Sequence, residues 1–268
     1  GDLDGDGDAD IVLNGFWYES PENPREDAYV RHTIDSLWYD QHNNWEDNSS
    51  KVEVADIDAD GQQDVVFTQS EATGFPVAWY SADDPKNGPW SQHVITEECD
   101  DCHNLKVVDF NNDGFVDVLA GGMPQSQHKG LTVYLGDGGA TWTPVEVQNE
   151  GSYSAVVGDI GNDGDKDIVA MRTYNELPLE IWENQVANQV LSLDNWTYTQ
   201  VTSNHERTFG LGFADVNGDG SLDIVSGRYW YASPGGDLLG DWSQSAAFPD
   251  DISGMLTVDV DDDALVDV

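Results

Sequence analysis

Aspartates recur in this sequence at a spacing that builds a metal-binding loop. The stretch "DLDGDGDAD" (2–10) returns as "DIDADGQQD" (56–64), "DFNNDGFVD" (109–117), "DIGNDGDKD" (159–167), "DVNGDGSLD" (215–223) and "DVDDDALVD" (259–267). The shared pattern is D-x-[DN]-x-D-G-x-x-D. Side-chain oxygens at positions 1, 3, 5 and 9 converge with the backbone carbonyl of position 7, and Gly at position 6 permits a sharp turn with positive φ. Hard oxygen donors without His or Cys select Ca2+. Asp and Gly also favour ordinary turns. Six copies with carboxylates at positions 1, 5 and 9 go beyond turn preference, because converging carboxylates repel one another unless a cation sits among them.

The loops differ in their donors. The first offers Asp2, Asp4, Asp6 and Asp10 with the carbonyl of Asp8, and the second Asp56, Asp58, Asp60 and Asp64 with that of Gln62. Each of two others carries one neutral amide: Asp109, Asn111, Asp113 and Asp117 with Phe115, and Asp215, Asn217, Asp219 and Asp223 with Ser221. The fourth loop has Gly161 at position 3, leaving Asp159, Asp163 and Asp167 with the carbonyl of Asp165. The sixth, with Asp259, Asp261, Asp263, Asp267 and Leu265, has Ala264 where the turn wants Gly. About one Ca2+ per loop is expected, held more weakly at 159–167 and 259–267.

What positions these loops is a repeat. The copies begin 54, 53, 50, 56 and 44 residues apart. Before each of four copies stands a short alternating apolar run ("KVEVA", "LKVV", "SAVVG", "LGFA"), and after it a β-branched one such as "DIVL", "DVVF" or "DIVA". That reads as strand, loop, strand. An aromatic strand follows ("GFWYES", "VAWYSA", "LTVYLG", "LEIWEN", "RYWYAS"), then a fourth, often opened by Trp ("WSQHVI", "WTPVEV", "WTYTQV"). Four strands per unit of about fifty residues is a propeller blade. No stretch carries the 3.6-residue period that helical repeats require.

Composition narrows the function classes. With 52 acidic and 10 basic residues the formal charge is −42, which repels nucleic acid and anionic lipid. Ten Trp, ten Tyr and eight Phe exclude a disordered acidic chain. No apolar run approaches the length of a membrane-spanning helix. Six Ca2+ would leave most of the negative charge to be solvated, as in a saline or calcium-rich external medium. The sequons at Asn48 and Asn195 point to the same extracellular setting.

Strand–DxDxDGxxD–strand blades with a "D-G-x-x-D-[IV]-V" core and a "WY" strand resemble the FG-GAP/VCBS repeats of calcium-binding β-propellers, found in the integrin α-subunit head and in secreted bacterial proteins. The resemblance runs through the whole chain. It implies an all-β propeller of four-stranded antiparallel blades, with calcium loops between first and second strands, and seven blades, or six as the alternative. Residues 1–268 are then expected to form one propeller domain cut within a blade repeat at each end, either an excerpt of a longer chain, the favoured reading, with any leader expected to have been removed, or a chain whose missing strands neighbouring copies supply. Members of the family include adhesins, lectins and polysaccharide lyases, so function follows from the site.

In such a fold ligands bind at the end of the blades away from the calcium loops. The first loop aspartate stands 15 residues before Trp17, 23 before Trp79, 25 before Tyr134, 23 before Trp182 and 15 before Trp230. The second, third and fourth blades therefore carry longer second-to-third connections. The scarce cations gather in connections at that end, as His128, Lys129, Arg172 and Arg228, with His42, His103, His205 and Arg207; Trp38, Tyr39, Trp45 and Tyr174 stand among them. Aromatic faces beside His and Arg suit an acidic glycan, and a protein ligand is the other expected partner. A lyase reading would have Arg172 or Arg207 neutralise a uronate carboxylate while His103, His128, His205 or Tyr174 takes a proton. A structural subunit of an extracellular filament, by self-assembly, is the third reading. "CDDCH" (99–103) matches the c-type haem attachment pattern, but an isolated copy among propeller repeats reads instead as a Cys99–Cys102 disulfide tightening a loop.

Overall fold

Alternating β-branched residues punctuated by Asp-Gly give strands and tight connections, and the chain is all-β. The computed structural model describes residues 1–39, 49–173, 178–185, 195–203, 208 and 210–246. The first sheet contains β1 (Ile11–Leu13), β2 (Phe16–Glu19) and β3 (Val30–Thr33), followed by a 3-10 turn at Ser36–Trp38. The second holds β4 (Ser50–Ala55), β5 (Asp64–Gln69), β6 (Val77–Ser81) and β7 (Ser91–Thr96), the third β8 (Asn104–Val108), β9 (Asp117–Gly122), β10 (Gly130–Gly136) and β11 (Trp142–Gln148). The fourth holds β12 (Ser154–Gly158), β13 (Asp167–Met171), β14 (Leu179–Asn184) and β15 (Trp196–Thr202), and the fifth β16 (Leu211–Ala214), β17 (Asp223–Ser226), β18 (Tyr229–Ala232) and β19 (Ser243–Ala246).

Each sheet is an antiparallel meander in sequence order. This is the blade repeat expected from the sequence. The first sheet has the equivalents of strands two to four of the others. Residues 1–109 with 114–145 form one compact unit, and residues 110–113 with 146–268 another. Within the first unit β4 packs beside β8, and within the second β12 packs beside β16.

Burial explains why the second strands read as unbroken apolar runs. Every residue of β5, β9, β13 and β17 is buried, whereas β19 is exposed throughout and β7 has no buried residue. Fully burying Val65, Val66 and Phe67 stabilises by about 1.5–3 kcal/mol each. The aromatic strand packs its Trp on the fourth strand: Trp17 stacks on His32 at 4.4 Å between ring centroids and Trp79 on His93 at 4.0 Å. Trp182 leans on Tyr198 at 5.7 Å.

Trp38 departs from its expected place at a ligand face. It is fully buried, stacked on Phe67 at 5.3 Å, and its Nε1 donates to Tyr80 Oη at 2.9 Å. Tyr80 in turn donates to Asp35 Oδ2 at 2.8 Å, and burial pushes its phenol pKa up. Asp35 also caps the 3-10 turn by accepting from Leu37 N, so one carboxylate fixes both the turn and the tyrosine.

Candidate metal centres and the opposite end of the blades

The aspartate loops connect first to second strands, as the sequence implies. Residue pairs Ala55↔Asp64, Val108↔Asp117, Gly158↔Asp167 and Ala214↔Asp223 close four of them, so the position-9 Asp is both the end of the loop and the first residue of the second strand.

Inside the loops one hydrogen-bond plan repeats. The amide of position 6 donates to the position-1 carboxylate, as Gly7 to Asp2 at 3.0 Å, Gly61 to Asp56 at 3.0 Å, Gly114 to Asp109 at 2.9 Å, Gly164 to Asp159 at 3.2 Å and Gly220 to Asp215 at 2.9 Å. The amide of position 5 reaches position 1 in the first, second, fourth and fifth loops. It reaches position 3 in the first, second, third and fifth. These bonds hold the side chains of positions 1 and 3 over the amide of position 5, whose own carboxylate accepts from the amide of position 7 in the first, second, fourth and fifth loops. Asp2, Asp4 and Asp6 bring one oxygen each within 4.8 Å of the others, and so do Asp56, Asp58 and Asp64. Asn111 and Asn217 replace a carboxylate in the third and fifth loops, and Gly161 removes the position-3 donor from the fourth. Glu183 Oε1 stands 3.8 Å from where a Cβ on Gly161 would lie, which puts a carboxylate beside that gap.

Three features of the loops lie outside the sequence reading. First, position 4 also adopts the left-handed conformation, at Gly5, Ala59, Asn112, Asn162 and Gly218, with φ between 54° and 74°. Gly and Asn at four of these positions are the signal that was available. Second, position 2 is always apolar, and Leu3, Ile57, Phe110 and Ile160 are buried beneath their loops. Third, the closing Asp is a clamp. Its Oδ2 accepts from the position-2 amide: Leu3 to Asp10 at 2.9 Å, Ile57 to Asp64 at 2.9 Å, Ile160 to Asp167 at 2.9 Å and Val216 to Asp223 at 3.0 Å. Its Oδ1 accepts an amide at the end of the third strand: Ser20 to Asp10 and Gly136 to Asp117, both at 2.9 Å, Asn184 to Asp167 at 2.8 Å and Ser233 to Asp223 at 2.9 Å.

Burial pushes the carboxyls of Asp64 and Asp167 up to about 7, against the backbone amides that stabilise their ionised forms. Asp10 and Asp223 are raised for the same reason. A buried carboxylate among other carboxylates calls for a proton or a cation. The all-oxygen donor set and the ligand number fit Ca2+. In the first loop part of that demand is met by the protein: Lys86 Nζ lies 2.7 Å from Asp4 Oδ2 and 2.7 Å from Glu19 Oε1. It stands in the wall of a cavity of about 660 Å3 that the first and second loops share with the β6–β7 connection.

At the other end of the blades the connections are unequal, as predicted. β1 and β2 are joined by Asn14 and Gly15, with φ of 45° and 75°, and β17 and β18 by Gly227 and Arg228. The corresponding connections 70–76, 123–129 and 172–178 have seven residues each.

The cations gathered there are mostly engaged. Arg172 is not free to receive a substrate carboxylate. Its Nε and Nη2 make a bidentate pair with the fully buried Glu180 at 3.0 and 2.8 Å, and Tyr198 Oη donates to the same carboxylate at 2.9 Å. Burial and that carboxylate push Tyr198 up to about 12. His103, expected at a ligand face, is buried with Nε2 2.9 Å from Glu71 Oε1. Arg228 lies over the Tyr229 ring at 5.4 Å. His128 and Lys129 are exposed. Cys99 and Cys102 form the expected disulfide, with both sulfurs buried in the core below. Asn195 is half-buried. His42, Trp45, Asn48, Tyr174, His205, Arg207 and the sixth loop (259–267) lie outside the described residues. Among the described residues no helix is long and apolar enough to cross a membrane.

No curated protein matches the chain. One similar solved structure is described as the structural basis of specific recognition of non-reducing terminal N-acetylglucosamine by an Agrocybe aegerita lectin. The likeness covers 91% of this chain and 78% of that one, at 16% identity and a TM-score of 0.45. Residues 56–120 and 109–170 match the FG-GAP-like repeat, a unit that builds β-propellers. With the aspartate loops set between first and second strands of antiparallel blades, the chain is built over these residues of FG-GAP-like repeats.

Proposed function

We propose that the chain is an extracellular binding module whose blades are stabilised by Ca2+ in the aspartate loops, and whose ligand, a glycan or a protein, docks on the first unit at connections 70–76 and 123–129, away from the loops. The observation that carries the calcium reading is the convergence of three carboxylates within 4.8 Å in the first and the second loop, on a hydrogen-bond plan that five loops share. Positions 1, 3, 5 and 9, with the carbonyl of position 7, would hold the ion. Bound there, Ca2+ supplies charge neutralisation and cross-links the two ends of the loop; it has no chemical step to perform. The Cys99–Cys102 disulfide and the charge of −42 support an oxidising external medium.

The binding reading rests on asymmetry between blades. The loop end repeats, whereas the other end varies in length and carries exposed side chains such as His128 and Lys129. Arg172 gives no support to a lyase, because Glu180 already neutralises it. A Ca2+ titration by calorimetry, followed by a screen of the Ca2+-loaded protein against acidic and neutral polysaccharides and extracellular proteins, tests both halves. Saturable Ca2+ uptake at several sites and retention on one ligand class are the expected results. Absence of Ca2+ uptake removes the first half, and absence of any retained ligand removes the second.

A further inference from the structure

The disulfide turn and the connection between β9 and β10 bring together a third set of metal-ligating groups, unrelated to the aspartate loops. Glu98, Asp100 and His128 place one ligand atom each within 4.8 Å of the others. His128 Nδ1 lies 3.1 Å from Asp100 Oδ2. Two ligands on one tetrahedral ion with bonds of 2.0–2.1 Å stand about 3.3 Å apart, so little movement separates this contact from shared coordination.

The cluster has a rigid floor. Asp100 is 2% exposed, and its other oxygen accepts from Gly74 N at 3.0 Å. The turn that carries it is closed by Cys99–Cys102 and bonded on three sides: Cys99 N to Phe75 O, Asp101 N to Ala72 O and Cys102 N to Gln69 O. The wall that carries His128 is held against it. Met123 N donates to Asp101 O, and Ser126 Oγ donates to Asp101 Oδ2. Gly122 is required at the seam, where a Cβ would stand 2.7 Å from both Asp100 O and His128 O. Glu98 and His128 face solvent, which leaves an entry path.

We propose that Glu98, Asp100 and His128 form a binding site for a divalent transition-metal ion of the zinc class. The imidazole decides the class. Ca2+ takes oxygen donors, whereas one imidazole with two carboxylates suits Zn2+, Co2+ or Mn2+. Two carboxylates balance the ion's charge in a molecule that already attracts cations. Three protein ligands leave the ion open to water or to an oxygen of a bound molecule, as in zinc sites that act on ligands. The site stands independently of the calcium reading, since it shares no residue with the loops.

The test is a Co2+ titration of the metal-stripped full chain, reloaded with Ca2+, read by visible d–d absorption, with Zn2+ then used to displace the Co2+. The expected result is one equivalent of Co2+ carrying a nitrogen-ligand spectrum that Zn2+ abolishes and excess Ca2+ leaves in place. Glu98→Gln and His128→Ala, both at exposed positions, should each weaken Co2+ binding at least about tenfold, with the Ca2+-dependent melt unchanged. A wild-type protein with no such band overturns the proposal, as does an undiminished band in His128→Ala or Co2+ affinity unaltered in Glu98→Gln. Because Ca2+ uptake is read separately by the melt, failure of the aspartate loops and failure of this site are distinguishable.

Discussion

The two ends of a blade obey different rules. At the loop end the same backbone-to-carboxylate bonds recur from Gly7–Asp2 to Gly220–Asp215, although the intervening residues differ. At the other end connections 14–15 and 227–228 are two-residue turns, while 70–76 receives the amides of Cys99 and Asp101 and 123–129 is held by Met123 N on Asp101 O. Repetition marks what every blade needs in order to stand. Singularity marks what this chain adds, and His128, Asp100 and the disulfide all lie on the singular side.

The largest effect should come from removing divalent ions. A ligand that binds only the folded state at a hundred times its Kd contributes about 2.7 kcal/mol per site, so EGTA should lower Tm by more than about 10 °C for several occupied loops. A calorimetric scan with an unchanged Tm would sink the claim that the loop end depends on cations.

Next comes Arg172→Ala, which strands the fully buried Glu180. We expect a loss of about 3–5 kcal/mol in urea unfolding, with Arg172→Lys recovering only part. A stable Arg172→Ala protein that had lost ligand binding would instead return Arg172 to the functional end. A loss of similar size, about 3–5 kcal/mol, is expected for Trp38→Ala if it belongs to the core.

Smaller still is the difference between two aspartates of one loop. Asp64→Ala removes the acceptor of Ile57 N and should destabilise by about 1–3 kcal/mol even in EGTA. Asp58→Ala, which leaves Asp60 N its bond to Asp56, should cost far less in EGTA than in Ca2+. Equal behaviour of the two in EGTA would remove the second role, as clamp, that sets Asp64 apart from Asp58. Least of all, Lys86→Gln should tighten Ca2+ at the first loop a few-fold by freeing Asp4; calorimetry of the single variant would detect weakening as the contrary result.

The loop end was legible because its rules are local. Position 1 and position 9 are eight residues apart, and β-branched runs flank them, so spacing alone sets the loop between its strands. The unequal connections were legible too, since counting from Asp56 to Trp79 measures them directly. Trp38 and His103 were not. Their burial depends on Phe67 and Glu71, partners about thirty residues away on other elements. The Glu98–Asp100–His128 cluster was hidden for the same reason: its members come from two connections, 97–103 and 123–129, that no local spacing links. Position 2 of each loop carries a readable signal, always Leu, Ile, Phe or Val in the described copies, although the pattern of oxygen donors alone does not require it.

The closing aspartate has a mechanical meaning. Asp10 ties Leu3 to Ser20, and Asp167 ties Ile160 to Asn184, so one side chain closes a ring of backbone around the loop and the next two strands. Tension applied along the chain must shear that ring before a blade can peel open strand by strand. An ion seated on the same carboxylate would add its bonds to the same ring, so a blade under load would resist extension in proportion to the cation around it.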